Sequence, residues 1–364
     1  MSITYRLGTT ADNPKIQDLV AKVTMPGPAT FCFQRVPDFF AGAQVIGTEF
    51  VLVVAEDAER NCLAGLTVIS GRDLYISGKV KKIYYSGDTR VDPFYRRRGI
   101  GTEMFQVQKT YRKPEDLMQG LVVKENEAPI KAGRNAEKGV FFNDWFSHTI
   151  ETSFMFSRKS APRVPKGVEI RLATPADAAL IQAFNEKEAP RRNGYPVYDL
   201  QKLMAGDPYY NGLRIQDYAL AFKGGQLVGI MAAWNQKAYK QTRIVAFKPI
   251  IALVRPLYNV YTKYFGGFTL PKVGGALNYL SLYNILIAND HKDVFRGMID
   301  WVMVNQGKGY DAVATSMAQG DPLDGVPREY KRQKMFTSHF WLSYGEDPRD
   351  SIDGRPLYVE LGRL

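Results

Sequence analysis

An internal repeat constrains the fold of this chain more than any other feature. Residues 5–17 (YRLGTTADNPKIQ) and 170–182 (IRLATPADAALIQ) align without gaps at an offset of 165, and seven of the thirteen positions are identical. Each copy reads as a short strand, a Thr/Asp-rich N-cap and an amphipathic helix. Because the offset matches the usual length of a domain, we predict that the chain contains two copies of one α/β unit.

The stretch between the copies is typical of a linker. Residues 157–167 (SRKSAPRVPKG) are basic, contain two prolines and have few apolar side chains. With 364 residues, the chain is also longer than one hydrophobic core usually becomes. We therefore predict a first domain at 1–160, a linker at 161–167 and a second domain at 168–364.

Composition and the terminal sequence narrow the class of protein. Hydrophobic residues make up 45% of the chain and charged residues 23%, as in globular proteins. Cys32 and Cys62 are too few for a disulfide framework, and the three histidines lack metal-ligand spacing. The polar N-terminal sequence has no apolar region of the kind found in signal peptides. We expect a cytoplasmic protein that binds no metal.

The formal net charge of +11 raises the question of a polyanionic partner. The cations are mostly dispersed, and no zinc finger, RNP-like sequence or basic arm accompanies them, which argues against nucleic acid. The longest apolar stretch, residues 244–265, is interrupted by charges and prolines, so we do not expect it to span a bilayer. Binding of nucleic acid or a membrane surface through the basic charge and this stretch stays an alternative, which salt-dependent binding to DNA or anionic vesicles would test.

The first half contains a strand that leads into a helix through a glycine-containing turn. Segments 50–57, 62–71 and 79–91 are rich in Val, Ile and Tyr and are bounded by turn residues, so we predict three strands. Apolar side chains then recur at helical spacing from Ile100 onward. The third strand therefore passes through Pro93 into a helix that begins near Gly99.

The turn itself has the composition of a phosphate cradle. A helix N-terminus offers unpaired N–H groups and a positive dipole potential, and Gly99 and Gly101 lack the β-carbons that would block an anion. Three arginines at 96–98 add positive charge. A dinucleotide fingerprint would need a glycine where this chain has Met104, and no Gly-Lys-Ser/Thr follows. We predict that the turn binds a pyrophosphate of another cofactor class.

The spacing Val91, Pro93, Arg96, Gly99, Gly101 resembles motif A of the GCN5-related N-acetyltransferases (GNAT). The resemblance implies a mixed α/β sheet and a tandem GNAT, or acyl-CoA N-acyltransferase, fold. It also implies acetyl-CoA as the co-substrate, with pantetheine in a gap where the sheet splays after its fourth strand. The family's fifth strand would lie at 121–128 and its last strand at 152–159.

The same resemblance implies which residues bind acetyl-CoA. The end of the fourth strand would pair with pantetheine, the amides of the turn would hold the pyrophosphate, and a residue at the end of the fifth strand would bind the cofactor or the adjoining helix. The implied residues are Thr89, Arg90, Val91, Arg96, Arg97, Arg98, Gly99, Ile100, Gly101, Thr102 and Asn126.

The second half keeps the order of elements but not the turn. Residues 275–303 run from strand to helix, and 310–317 and 356–364 read as later strands. In place of the cradle, residues 288–293 (ANDHKD) contain two aspartates and no glycine, which disfavours a pyrophosphate. We predict a degenerate second copy and one acetyl-CoA site per chain.

The resemblance implies direct attack of an amine on the acetyl thioester. Such a reaction needs a proton acceptor, donors for the oxyanion and an acid for the thiolate. The acid is often a tyrosine after the fifth strand, but the position expected here falls near Asn135. Tyr195 or Tyr198, from a loop of the second half, could replace it.

Four residues are candidates for the proton acceptor. They are Asp88, Glu125, Glu127 and His148. Each could instead be paired, solvated or structural.

We predict an N-acetyltransferase that acts on a primary amine, and the alternative is a non-catalytic acyl-CoA-binding or sensor protein. The apolar insert at 235–274 either walls the acceptor cleft at the domain interface or thickens the second domain.

Overall fold

The computed structural model describes residues 2–124, 126, 143–156 and 161–364. Its strands are β1 (Ile3–Leu7), β2 (Ala29–Gln34), β3 (Glu49–Asp57), β4 (Cys62–Ile76), β5 (Lys79–Val91), β6 (Met118–Val123), β7 (Asn143–Phe156), β8 (Val168–Leu172), β9 (Tyr195–Pro196), β10 (Tyr218–Lys223), β11 (Gln226–Trp234), β12 (Gln241–Phe247), β13 (Tyr279–Ile287), β14 (Ala312–Ala318) and β15 (Arg332–Ser343). Its α-helices are α1 (Asn13–Lys22), α2 (Phe39–Gln44), α3 (Ile100–Lys109), α4 (Ala178–Glu188), α5 (Leu200–Met204), α6 (Pro249–Phe265), α7 (Lys292–Asn305) and α8 (Gly325–Arg328).

One mixed sheet runs through both halves of the chain. Its order is β1-β3-β4-β5-β6-β15-β7-β14-β13-β11-β10-β8, with β9 paired to β4, while β2 and β12 form a separate two-stranded sheet. Within the described residues, parallel strand pairs occur at β5–β6 and β13–β14. From one edge, the first five strands of the sheet are β1, β3, β4, β5 and β6. From the other edge they are β8, β10, β11, β13 and β14, so the second half repeats the arrangement of the first.

The two halves exchange strands at the centre of the sheet. β15 lies between β6 and β7, and β7 pairs on its other side with β14. The strand that the sequence assigned to the end of the first half thus adjoins the second half. The domain boundary at residue 160 stays a prediction, because strand pairs of the sheet join residues from both sides of it.

The identical residues of the repeat make the same contacts in both halves. Arg6 Nη2 lies 2.7 Å from Asp12 Oδ1, and Arg171 Nη2 lies 2.7 Å from Asp177 Oδ1. The arginine hydrogen bond is the main reason that the pKa of each carboxyl is well below its usual range. Each aspartate also accepts a hydrogen bond from the backbone at the start of its helix, as an N-terminal cap should.

Helices cover both faces of the first half of the sheet. Leu52 and Val54 pack with α1 and α2, whereas the alternating Val53 and Ala55 pack with α3. The bulge and the turn described below therefore lie between α3 on one face and α1 and α2 on the other.

The insert divides into two parts with different surroundings. β12 pairs with β2 of the first half, from Gln241 opposite Gln34 to Phe247 opposite Ala29, so this part does pack across the interface. α6 follows, and Thr262 is its buried residue. No helix in the described part of the chain is long and apolar enough to cross a membrane.

The ends of both halves differ from the sequence prediction. β6 ends at Val123 and β7 begins at Asn143. Residues 356–364 were predicted as a strand, and that prediction is wrong, because they form a buried C-terminal segment instead. Its consecutive side chains from Leu357 to Glu360 are buried in the core, where Tyr358 and Glu360 bond to other elements.

Candidate active site

A β-bulge interrupts β5 where it runs beside β4. The register shifts between Leu66 and Val68, so Asp88 and Thr89 together face Thr67. Asp88 has a φ of 50°, which residues other than glycine rarely adopt, and the hydroxyls of Thr89 and Thr67 lie 2.8 Å apart. A bulge of this kind leaves backbone groups outside the ladder, where a ligand can reach them.

The turn after β5 enters α3 through left-handed backbone. Arg97 has a φ of 63° and Gly99 has a φ of 75°, and α3 begins at the next residue, Ile100. A side chain with a β-carbon in this conformation costs about 1–2 kcal/mol, which glycine avoids. Gly101 and Thr102 lie in the first turn of α3, as the sequence predicted.

Three exposed arginines, Arg96, Arg97 and Arg98, precede the helix. The Arg98 guanidinium lies 5.0 Å from the centre of the Phe94 ring. The neighbouring Tyr95 is buried, and its hydroxyl donates a hydrogen bond of 2.6 Å to Asp57. Aromatic contacts thus hold positive charge beside the positive end of the helix dipole.

β5 and β6 separate beside the bulge. Tyr85 opposite Gln119 is the last pair of their parallel register, although both strands continue. Beyond that pair, β6 pairs on its other side with β15, up to Thr337 opposite Val123. The gap therefore opens next to residues 86–91, the place where the resemblance put pantetheine. Asn126 is exposed and follows the end of β6.

A cluster of charged side chains lies next to the bulge on the α1 and α2 face. Arg35 donates to Asp88 Oδ2 from both Nε and Nη2, and to the carbonyl of Gly42. Arg90 Nη2 lies 3.3 Å from Asp88 Oδ1. Burial raises the pKa of Asp88, but the two arginines outweigh burial and hold that pKa below its usual range. Asp88 is therefore ionised at neutral pH and is a weak base.

Lys240 extends this cluster from the second half of the chain. Its Nζ donates to the carbonyl of Leu361 at 3.4 Å. Burial and repulsion by Arg35 lower the pKa of Lys240 to about 7, against the opposing attraction of Asp88 and Glu360. Sequence analysis identified neither Arg35 nor Lys240, because no local pattern connects these positions to the turn.

Two of the three histidines are cross-strand neighbours. His148 on β7 lies opposite His339 on β15, and His339 Nε2 is 3.3 Å from Gln119 Oε1 at the start of the gap. Burial, aided by His148 and Arg72, lowers the pKa of His339 to about 3. Burial also lowers the pKa of His148. Both rings are neutral at pH 7.

The other predicted residues are either outside the described part of the chain or far from the bulge. Glu125, Glu127 and Asn135 lie outside the described residues. Tyr195 pairs with Tyr75 on β4, whereas Gly65 on the same strand pairs with Val91. At the usual rise per residue, those two points are roughly 30 Å apart.

The environment of Tyr195 also argues against a role as the proton donor. It is fully buried, and its hydroxyl donates to Asn284. Tyr198 is buried as well, and its hydroxyl donates to Glu360. Both tyrosines belong to the core of the second half, which argues against replacement of the missing acid by either one.

The second half repeats the bulge, but the C-terminal segment occupies it. Asn284 has a φ of 50°, as Asp88 does, and its backbone N–H donates to Glu360 Oε2 at 2.9 Å. The N–H of Ile285 donates to the hydroxyl of Tyr358 at 3.2 Å. The amides that correspond to those of the first bulge are therefore already bound within the chain.

The turn of the second half is also closed by its own contacts. Asp290 forms an ion pair with Arg192, which also contacts Asp321. No group of three or more side chains suited to a metal ion occurs in the part of the chain that the structure describes.

Solved structures match this arrangement over nearly the whole chain. A GCN5-related N-acetyltransferase from Sphaerobacter thermophilus aligns with 100% of this chain and 98% of its own, at a TM-score of 0.54 and 14% identity. The fold is that of the GCN5-related N-acetyltransferases. A tandem GNAT protein from the clavulanic acid biosynthesis pathway aligns with 95% of this chain and 100% of its own, at a TM-score of 0.55 and 11% identity.

The likeness is one of structure. No family model matches the sequence, and a search of curated proteins found no match. The structural matches nevertheless confirm the fold that the motif at Val91–Gly101 indicated, including its tandem form. Identities this low show the fold alone, so substrate and activity need support from the residues themselves.

Proposed function

We propose that the chain is an acyl-CoA-dependent N-acyltransferase, in which the first half binds acetyl-CoA and transfers its acetyl group to a primary amine. The observation that carries this proposal is the left-handed Gly99 at the start of α3, directly beyond a bulged strand that diverges from β6. The turn, the bulge and the gap suit the pyrophosphate, the thioester and the pantetheine in that order.

The chain's own groups would bind the phosphates. The backbone amides from Arg96 to Thr102 lie at the helix start, where the dipole favours anions. The exposed guanidinium groups of Arg96 and Arg97 add long-range attraction for a highly charged cofactor. The bulge amides of Asp88 and Thr89 would stabilise a developing oxyanion, in the same way that those of Asn284 and Ile285 bind acceptor oxygens.

The charged cluster beside the bulge would receive the amine. Asp88 is ionised and attracts a protonated amine, while Arg35 and Arg90 fix its position. We assign proton acceptance to Lys240, because a base is most effective when its pKa lies near the working pH. A lysine that has taken the proton can also protonate a thiolate, since a free thiol has a pKa of about 8.5. One residue would then replace the missing tyrosine.

Calorimetric titration of acetyl-CoA tests the binding part of the proposal. Gly99→Val should raise the dissociation constant at least tenfold, because a β-branched residue disfavours this φ and fills the space of the phosphate. Gly206→Val is the matched control, since Gly206 has a φ of 74° and a β-carbon added there would meet no atom within 4 Å. Equal affinity in the wild type and Gly99→Val would contradict the assignment.

Transfer is measured separately, by thiol release and by the mass of acetylated products with a panel of primary amines. Release that depends on the amine supports the N-acyltransferase. Tight binding of acetyl-CoA, without transfer to any amine of the panel, would instead favour the acyl-CoA-binding or sensor function. Asp88 favours this second function, because it is paired with both Arg35 and Arg90 and is therefore a weak base.

A further inference from the structure

The helix α6 presents its apolar side chains to solvent. Leu253, Leu257 and Tyr264 are 77%, 74% and 76% exposed, and Ile250 and Phe265 are each 61% exposed. The remaining exposed apolar residues of the helix are Val254, Tyr258, Val260 and Tyr261. At 3.6 residues per turn, these nine side chains fall within an arc of about 160°. They form one continuous stripe, which we call the α6 stripe.

The opposite side of the same helix is polar and faces the protein. The side chain of Asn259 exchanges hydrogen bonds with the backbone of Leu270, as donor at 3.0 Å and acceptor at 2.9 Å. Thr262 is buried, and the Arg255 guanidinium lies 6.0 Å from the centre of the Phe247 ring. Surface helices normally bury their apolar face, so this orientation is the reverse of the usual one. A continuous exposed stripe of this kind marks an interaction site.

The segment of the chain that carries the stripe has charges of one sign. No Asp or Glu occurs between Asp217 and Asp290, whereas eight Lys and Arg residues do. Lys248, Lys263 and Lys272 are exposed in and around α6. The surface that carries the stripe is therefore strongly basic.

Neighbouring elements keep this character. Lys331 donates to the carbonyl of Phe265 at 2.7 Å and to the hydroxyl of Tyr261 at 3.3 Å, which adds a cation at the C-terminal end of the stripe. Burial raises the pKa of Tyr258, with smaller contributions from Tyr261 and from Asp311, so one carboxylate does lie near the stripe. That carboxylate accepts two hydrogen bonds from Thr269. The basic charge therefore outweighs this single partly satisfied carboxylate.

We infer that the α6 stripe binds the surface of an anionic phospholipid bilayer. The helix would lie parallel to the membrane with its apolar side chains among the acyl chains, and the flanking lysines would contact headgroup phosphates. Tyr258, Tyr261 and Tyr264 suit the boundary between the two regions, because each ring is apolar and each hydroxyl is polar. At 1.5 Å per residue, the helix offers about 25 Å of contact length.

A second copy of the chain fits the same face less well. Stripe-to-stripe packing would bring two copies of this basic segment close together, and residues 218–289 contain no carboxylate to pair with its cations. Like charges brought together in an interface oppose association. The anionic bilayer satisfies both the apolar and the basic requirement.

Co-sedimentation of the full chain with vesicles tests the inference. The vesicles contain phosphatidylcholine alone, or phosphatidylcholine with about one third phosphatidylglycerol. We expect binding to the anionic vesicles that weakens with salt, and at least tenfold weaker binding for the double variant Leu253→Glu/Leu257→Glu. Both leucines are more than two-thirds exposed, so these changes should leave the fold intact. Leu180→Glu, at a 40% exposed leucine on α4, is the matched control and should bind as the wild type does.

Two outcomes would overturn the inference. One is the absence of binding to anionic vesicles, or equal binding by the double variant, in protein with an unchanged melting temperature. The other is a dimer in sedimentation velocity that the double variant converts to a monomer, because this result would assign the stripe to a second copy. A monomer that binds anionic vesicles through Leu253 and Leu257 supports the bilayer.

Discussion

Arg35 donates two hydrogen bonds to a single oxygen of Asp88, from Nε at 3.0 Å and from Nη2 at 2.8 Å. Arg35 follows β2, and its third contact is the carbonyl of Gly42 on α2. One buried guanidinium therefore joins the bulge of β5 to α2 and to the β2–β12 sheet. Asp88, with its unusual backbone conformation, is thus paired with a residue that is distant in the sequence.

Removing one partner of this pair should destabilise the chain. Asp88→Asn leaves the buried Arg35 without its counter-charge, and we expect a loss of about 1–3 kcal/mol in urea unfolding. Arg35→Met/Asp88→Asn removes the buried guanidinium together with its counter-charge, so the loss should be smaller than the sum of the single effects. The exposed Arg349–Asp347 pair is the control, and its loss should have little effect. Additive effects at Arg35 and Asp88 would show that the two do not interact.

The pH dependence of transfer should follow Lys240. If its neutral amine accepts the proton, kcat/KM rises with pH through an apparent pKa near 7. Arg35→Met removes a repelling cation and raises the pKa of Lys240, so this rising limb of the pH–rate profile should move to higher pH. Asp88→Asn removes an attracting anion, so the limb should move to lower pH. The arginine of Lys240→Arg stays charged at every pH in this range, so that variant should be inactive throughout.

The measurement compares pH–rate profiles with one acceptor amine, so that the titration of the acceptor is common to all variants. Arg35→Met and Asp88→Asn must shift the limb in opposite directions. A limb that stays in place in both variants would remove Lys240 from the proposed mechanism.

Features that depend on local sequence were predictable. The repeat was visible because Arg6 and Asp12, and again Arg171 and Asp177, form the same cap within seven residues. The turn at Gly99 was visible because a left-handed helix start requires glycine at a fixed distance from the strand. Both patterns express backbone requirements that act over a few residues.

Features that depend on distant partners were not predictable. The sequence does not show that β15 enters the sheet between β6 and β7, because strand order depends on contacts over many residues. The segment 356–364 is rich in apolar residues and reads as a strand, but the structure packs its consecutive side chains, Glu360 and Arg363 included, into the core. The approach of Lys240 to Asp88 likewise requires the packing of β12 on β2.

Glu360 should make stability depend on pH in a defined direction. Burial raises the pKa of this carboxyl, although the bonds from Asn284, Tyr198 and Tyr358 oppose the rise. The folded chain therefore holds the proton more tightly than the unfolded chain, whose carboxyl has a pKa of about 4.3. The corresponding stability is present below that pH and is lost as pH rises through the folded pKa.

Glu360→Gln removes this titration. The free energy of unfolding of the variant should therefore increase, relative to that of the wild type, as pH rises from acid to neutral. Urea unfolding at several pH values measures the difference, with the exposed Glu186→Gln as the control. The affinity for acetyl-CoA should not change, because Glu360 lies at the second bulge. A difference that is constant with pH would contradict the buried, raised pKa.

The exchange of strands predicts that the two halves cannot fold apart. A fragment of residues 1–160 retains β6 and β7 but lacks β15, which lies between them in the sheet. The edges of both strands would be unpaired, and Ile150 and Met155, which are fully buried in the whole chain, would lose their cover. We expect this fragment to aggregate, or to show no cooperative unfolding by circular dichroism.

Co-expression with residues 161–364 supplies β15 and should restore a soluble complex that binds acetyl-CoA. A fragment of residues 1–160 that unfolds cooperatively and binds acetyl-CoA as tightly as the whole chain would show that the exchanged strand is not needed.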